Sequence, residues 1–179
     1  MISVVIPVLN YDVTSLVQAL LIQADTHEVD LEVIIGEDGS SIEWVEKNKK
    51  ALTDSRVKHF ISSKDIGRAA IRNKLASIAV GDWLLFIDAD SAISEQYICA
   101  FKWYRTQADV LVGGTCYKSA QPDSEKLLRW KYGLSREMVS PMKRNETPYL
   151  SFTANNFFIK KAVFDQIKFD EEVTKYGHE

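Results

Sequence analysis

Apolar positions fall along the chain in two rhythms. Trp83-Leu84-Leu85-Phe86-Ile87 is an uninterrupted apolar run, and Ile2 to Val8 and Leu31 to Gly36 are nearly as apolar. Such runs predict strands buried on both faces, as at the centre of a parallel sheet. Shorter strands are predicted at Val57 to Ser62 and Val110 to Tyr117. Between them the spacing becomes helical. Val13, Leu16, Val17, Leu20 and Leu21 mark a helix over Val13 to Ala24, with Asp12 as its N-cap. Further helices are predicted over Ser41 to Leu52, Ile66 to Val80 and Ser94 to Thr106, with Gly81 capping the third. The order β-α-β-α-β-α-β implies an α/β fold, a mainly parallel sheet with right-handed crossovers.

After Tyr117 the pattern changes. Residues 123–144 mix Lys126, Arg129, Lys131, Arg136, Lys143 and Arg144 with Leu127, Leu128, Trp130, Tyr132 and Leu134. That composition suits a solvated amphipathic helix and loop, or a lid over an acceptor site. Phe152 to Ile159 predicts another strand and Ala162 to Ile167 a short helix.

Composition narrows the classes. At 179 residues, with 46% hydrophobic and 26% charged residues, the chain fits one globular domain. A net charge of −3 argues against nucleic acid as the main partner. Cys99 and Cys116 form neither a metal-ligand spacing nor a disulfide framework, and they are expected to be reduced core residues. No stretch reaches the roughly twenty apolar residues of a membrane span. The N-terminal Met1-Ile2-Ser3 lacks the basic region of a signal peptide. The expected location is the cytoplasm, with room for peripheral contact at the inner face of the membrane. His27 and His59 are expected at the surface.

Two segments carry chemistry. Asp88-Ala89-Asp90 follows the most apolar strand, and open α/β sheets bind ligands beyond the carboxyl ends of their strands. Two carboxylates so close repel, so one keeps a proton or both share a cation. Mg²⁺ suits one or two carboxylates and completes its shell with phosphate oxygens. Glu37-Asp38-Gly39-Ser40 closes the second strand, and Gly39 suits a turn position with φ > 0.

With these stretches in order, the chain resembles a family-2 glycosyltransferase of the GT-A fold. Val4-Val5-Ile6-Pro7-Val8-Leu9-Asn10 resembles the family's opening strand and nucleotide loop. Val33 to Ser40 is similar to its second strand and acidic-Asp-Gly-Ser turn. Gly67-Arg68-Ala69-Ala70-Ile71-Arg72-Asn73 resembles the Gly-x-x-x-x-Arg-Asn helix, and Asp88-Ala89-Asp90 the Asp-x-Asp motif. Phe169-Asp170-Glu171-Glu172 and Tyr176-Gly177-His178-Glu179 resemble the approach to its Glu-Asp catalytic motif.

The resemblance implies a three-layer α/β/α sandwich that transfers sugar from a nucleotide diphosphate sugar, UDP-linked, to an acceptor hydroxyl with inversion. It implies that Pro7, Val8, Leu9, Asp38, Arg72 and Asp88 contact the nucleotide, with Asp38 accepting the uracil imide N–H. Asp90 and Asp88 would hold Mn²⁺ or Mg²⁺, Asn155 and Asn156 would meet the donor or acceptor sugar, and the Gly67 helix start would receive phosphate. The acceptor would be a glycan or lipid-linked glycan of polysaccharide assembly. Two departures stand out. Leu9 replaces the family's usual aromatic, so the base packs on aliphatic surface or on Tyr11. The family motif continues with Asp, the usual base, after Glu179, so Glu179 is either the base or its orienting neighbour. The expectation is a single domain over residues 1–179, shortened at its C-terminal end. Two rivals remain: a non-catalytic nucleotide-sugar-binding domain, and a nucleotidyltransferase, which would need a Gly-rich basic loop after the first strand.

Overall fold

The computed structural model describes residues 1–173. One six-stranded sheet forms its centre, built from β1 (Ile2–Val8), β2 (Leu31–Asp38), β3 (Val57–Ser62), β4 (Trp83–Ile87), β5 (Val110–Val112) and β6 (Asn156–Lys160). Their spatial order is β3-β2-β1-β4-β6-β5. β3, β2, β1 and β4 run parallel, and β6 pairs antiparallel with both β4 and β5. The α/β class and mostly parallel sheet expected from the strand pattern are therefore present. The chain moves outward from β1 to β3 and then crosses back to β4. The β1–β4 gap is thus the topological switch point, where such sheets leave a crevice.

Strand alternation explains the layers. Val4, Ile6, Val8, Val33, Ile35, Leu85 and Ile87 point to one face. There they pack with Leu16, Val17 and Leu20 of α1 (Thr14–Thr26) and Ile98 and Phe101 of α4 (Tyr97–Tyr104). Val5, Ile34, Leu84 and Phe86 point to the other face. They meet Ile71 and Leu75 of α3 (Arg68–Ile78) and Phe164 of α7 (Lys161–Ile167). α2 (Ile42–Asn48) runs into a 3-10 turn, and α5 (Ser124–Arg136) and α6 (Pro141–Glu146) follow β5. Both faces of the sheet are covered, so nearly every central strand residue is buried and the runs could be apolar throughout.

Several boundaries differ from the sequence pattern, each for a local reason. β5 stops at Val112 because Gly113 packs against Asn156; a Cβ there would lie 2.2 Å from the amide nitrogen. Arg144 reinforces the departure by donating to the carbonyls of Val112 and Gly113. Gly81 does not cap α3, which ends at Ala79. Its N–H instead donates to the Ser3 hydroxyl at 2.9 Å. Asp12 is not the N-cap of α1 but stands one residue earlier, its carboxylate accepting from the Thr14 N–H and hydroxyl. Cys99 is half-buried and Cys116 exposed, because Cys116 lies beyond the point where β5 leaves the sheet. The expected β6 start at Phe152 moves to Asn156, and the α4 region shortens to eight residues.

Candidate functional site

Three loops converge at the carboxyl ends of β1, β2 and β4. Beyond β1 the chain turns at Asn10 with φ 52°, a left-handed value that Asn tolerates. The turn is tied to the next loop: the Asn10 N–H donates to Ser40 Oγ, and Asn10 Oδ1 accepts from the Ser41 N–H at 2.8 Å. Pro7 and Val8 are enclosed in the sheet, whereas Leu9 and Tyr11 stand 52% and 45% exposed. The apolar surface offered here therefore comes from the two residues that replace the expected aromatic.

The β2 loop is held from below. Asn48, fully buried at the end of α2, accepts from the Val13 N–H and donates to Tyr11 O and Glu37 Oε1. Glu37 is itself fully buried, with His59 Nε2 3.2 Å from the same oxygen. His59 is thus not a surface residue: β3 turns its side chain inward beside Glu37 and leaves it 5% exposed. Burial opposes the Glu37 charge, yet the His59, Ser40 and Asn48 contacts hold the carboxyl below its ordinary value. The network fixes residues 10–13 against the sheet. Sequence reasoning missed Asn48, since an Asn at a helix end reads as a surface residue.

Asp38 is buried at the end of β2 and accepts from the Ile66 N–H at 2.7 Å and the Gly67 N–H at 3.2 Å. Gly39 takes φ 76° as expected, and its Cα lies against the backbone of Lys64 and Asp65. The Asp38 carboxylate thus shapes the loop leading into α3. Burial, with the neighbouring Asp65 charge, pushes its pKa up. The Gly67 N–H is shared between Asp38 and Asp65, which corrects the expectation that this amide waits for phosphate.

Arg72, one turn into α3, is also buried. Its Nη2 donates to Asp88 Oδ1 at 2.7 Å and its Nη1 to the Arg68 carbonyl. Asp88 begins the turn after β4, two residues before the exposed Asp90. Burial raises the Asp88 pKa, Arg72 opposes that, and the Asp90 charge adds to it. Among the described residues Asp90 makes no hydrogen bond or ion pair, which leaves its carboxylate available. No group of three or more His, Cys, Asp or Glu that could hold a metal exists among the described residues. A two-carboxylate site completed by phosphate oxygens needs no third.

Across β4, Asn155 and Asn156 face the carboxylates. The Asp88 N–H donates to Asn155 O, and Asn156 pairs with Ile87 in the sheet. Asn156 Oδ1 accepts from the Tyr97 hydroxyl at 2.7 Å, and its Nδ2 donates to Gly114 O. Burial drives the Tyr97 pKa upward, so the hydroxyl stays a donor. Asn155 Oδ1 is buried with no partner among the described residues. The basic segment is anchored by its aromatics. Gly133 lets α5 close on the Tyr117 ring, Tyr117 bonds Glu137, and Trp130 Nε1 donates to Lys118 O. Glu179, expected on the acceptor side, lies outside the described residues. The fold thus brings Pro7, Val8, Leu9, Asp38, Arg72, Asp88, Asp90, Asn155 and Asn156 to one end of the sheet, beyond the carboxyl ends of β1, β2 and β4.

Residues 3–168 match the profile described as glycosyl transferase family 2. The chain belongs to that family. Among curated proteins it is 36% identical over 92 residues to an uncharacterized glycosyltransferase of Rickettsia conorii, half of this chain but 14% of that protein. Among solved structures, S. aureus TarS superposes with a TM-score of 0.70 at 19% identity, covering 98% of this chain and 52% of the other. The mannosyltransferase of Pyrobaculum calidifontis, solved with GDP-Man and Mn²⁺, gives 0.61 at 16%, covering 96% and 48%. TarS has also been solved with UDP-GlcNAc. These likenesses establish the GT-A fold, a mixed α/β sandwich around the mostly parallel sheet. The chain spans about half the length of these solved relatives.

Proposed function

We propose that this family-2 domain binds a nucleotide diphosphate sugar, UDP-linked, and passes its sugar to an acceptor hydroxyl with inversion. The observation that carries the reading is the β1–β4 switch point of the sheet, with Asp88 and Asp90 following β4 on one side and the Leu9 and Asp38 loops following β1 and β2 on the other. Leu9 and Tyr11 offer apolar surface for the base, and Asp38 stands within the loop that would frame it. Relatives solved with UDP-GlcNAc and with GDP-Man support a nucleotide-sugar ligand.

The carboxylates fit a divalent cation. Two hard oxygen donors leave one strand end, Asp90 is uncommitted, and burial, with a smaller push from the Asp90 charge, raises the Asp88 pKa in spite of Arg72. Bound there, Mn²⁺ or Mg²⁺ would neutralise charge growing on the departing diphosphate. Asp90 and Asp88 would hold it, while Arg72 keeps Asp88 turned toward the crevice. Asn155 and Asn156 line the side where the sugar would sit. The general base is assigned downstream of Val173, with Glu179 as base or as orienter of a following acid. A glycan or lipid-linked glycan acceptor, and work at the cytoplasmic face of the membrane in polysaccharide assembly, complete the reading. No helix of the described chain is long and apolar enough to cross a membrane.

A thermal-shift panel of UDP-, GDP- and dTDP-sugars, each with Mn²⁺, Mg²⁺ or chelator, tests this directly. A ligand that binds the folded state alone raises the melting temperature. A rise with a UDP-sugar that chelator abolishes is expected. No rise with any nucleotide sugar would overturn the proposal.

A further inference from the structure

The consecutive pair Arg72-Asn73 divides its contacts in a way the motif does not disclose. Arg72 reaches forward to Asp88. Asn73 reaches the other way, to a segment 96 residues downstream. Its Nδ2 donates to the Phe169 carbonyl at 2.9 Å and to Glu171 Oε1 at 2.8 Å, and its Oδ1 accepts from the Phe169 N–H at 2.9 Å. Paired donor and acceptor bonds to the N–H and C=O of one residue copy the contacts of a neighbouring strand, so the side chain fixes that backbone in place and direction.

The Phe169 ring is held as well. It packs edge-on against Phe86, Phe157 and Phe164, at centroid distances of 5.7, 6.0 and 5.8 Å. The Arg72 guanidinium lies 5.8 Å from its centroid. Phe86 belongs to β4, the strand that ends in Asp88. One helical turn thus grips both the donor-side carboxylate and the segment at Phe169–Glu171. The α3 side chains around this grip are fixed by burial of Ile71 and Leu75 beneath them.

We infer that Asn73 is a positioning residue that sets the Phe169–Glu172 segment in register with Asp88. The inference rests on the proposed function, because it gives that register a purpose: the acceptor-side base must meet the donor sugar at a fixed distance. A side chain making three directional bonds across two segments is costly to replace, and Asn is the residue that can donate and accept at once. As a surface residue Asn73 would need none of this.

Amide hydrogen exchange and kinetics on Asn73→Ala and Asn73→Asp separate the possibilities. The Asp variant keeps the acceptor for the Phe169 N–H but loses both donated bonds, and its near-identical volume guards against misfolding of the Ala variant. In the unmodified protein the Phe169 amide should be protected, and UDP-sugar with Mn²⁺ should protect it further. Asn73→Ala should lose most of that protection and the ligand-linked gain, with Asn73→Asp in between. Turnover, read as UDP release from UDP-sugar, should fall about ten- to a hundredfold in kcat, with donor KM within about twofold, as a misplaced reacting group costs rate rather than binding. Unchanged Phe169 exchange, or donor affinity falling in step with kcat, would overturn the inference. An unmodified protein that binds no nucleotide sugar would instead sink the proposed function, while basal Phe169 exchange still judges the anchor.

Discussion

Truncating Asn48 should be among the most damaging single changes in this domain, although Asn48 sits outside every recognisable motif. The Asn48→Ala variant deletes three hydrogen bonds, to the Val13 N–H, Tyr11 O and Glu37 Oε1, all within 3.0 Å. Asn48, Val13 and Glu37 are each fully buried, so bulk water does not reach the groups left behind. A buried polar group left unsatisfied costs about 1–3 kcal/mol, more when charged. The stranded Val13 amide, with Glu37 Oε1 left to His59 alone, gives a loss of about 2–4 kcal/mol, moderated if one water enters the vacated space. Against a typical stability of about 5–15 kcal/mol that is a large share. Urea unfolding read by circular dichroism measures it, provided the m-value is unchanged. Because residues 10–13 hang from the same amide, UDP-sugar affinity should fall as well. Asn48→Asp should lose a similar amount at neutral pH, through the new charge beside Glu37, and recover part of it in acid. A loss under about 1 kcal/mol for Asn48→Ala would refute the view that this network holds the loop.

Three further outcomes are expected. Asp90→Asn should leave the unfolding midpoint unchanged, since Asp90 is exposed and uncommitted, yet weaken UDP binding markedly in Mn²⁺; a calorimetric affinity in Mn²⁺ equal to that of the unmodified protein would contradict metal binding there. Asp38→Ala should cost about 1–3 kcal/mol of stability through the abandoned Ile66 amide, the Gly67 amide keeping Asp65, and a similar loss of UDP affinity if the carboxylate also reads the base. Loss of stability alone would assign Asp38 to the loop and nothing more. Glu32 tests the pH dependence at the opposite end of the sheet. Burial works against its charge, but Lys58, Ser3 and the Val80 N–H bring its pKa below 4.5. A depressed acid contributes stability above its unfolded pKa and loses it as pH falls through the folded value. The stability gap between the unmodified protein and Glu32→Gln should therefore be widest above pH 4.5 and close in stronger acid; a constant gap from pH 7 to 3 would rule that out.

The sheet was legible because its signal is collective. Leu84, Leu85 and Phe86 can all be apolar only if both faces are covered, and they are. The turn at Gly39 was legible because glycine supplies the positive φ that the turn needs. The ends of elements were less so. Gly113 looks like an ordinary strand residue until Asn156 is placed against it, and Gly81 looks like a cap until Ser3 is found beneath it. Those contacts join residues far apart in sequence, and no local period carries them. His59 shows the same limit. On an edge strand it could face either way, and the buried Glu37 decides the matter. At the candidate site, family resemblance named residues that the fold brings to one end of the sheet, but not their mutual commitments. Arg72 holding Asp88, and Asp38 holding the Gly67 amide, are tertiary facts.

The carboxylates at the strand ends, buried Glu37 and Asp38 and half-buried Asp88, divide by the direction in which their pKa values move. Glu37 receives Asn48 and His59, and its pKa falls despite complete burial. Both contacts fall on Oε1, and Oε2 is buried without a hydrogen-bond partner among the described residues. Asp38 and Asp88 both have raised pKa values, because burial and a neighbouring carboxylate outweigh the donors they hold. A fold optimised for stability alone would pair such charges or remove them, since an under-compensated buried carboxylate lowers the stability of the native state. Both raised groups follow the carboxyl ends of β2 and β4, and under the proposed function they are the carboxylates that would face the ligand. A cation or a base N–H arriving there would restore what Asp88 and Asp38 lack, so ligand binding should stabilise the domain by relieving a charge that the fold leaves unbalanced.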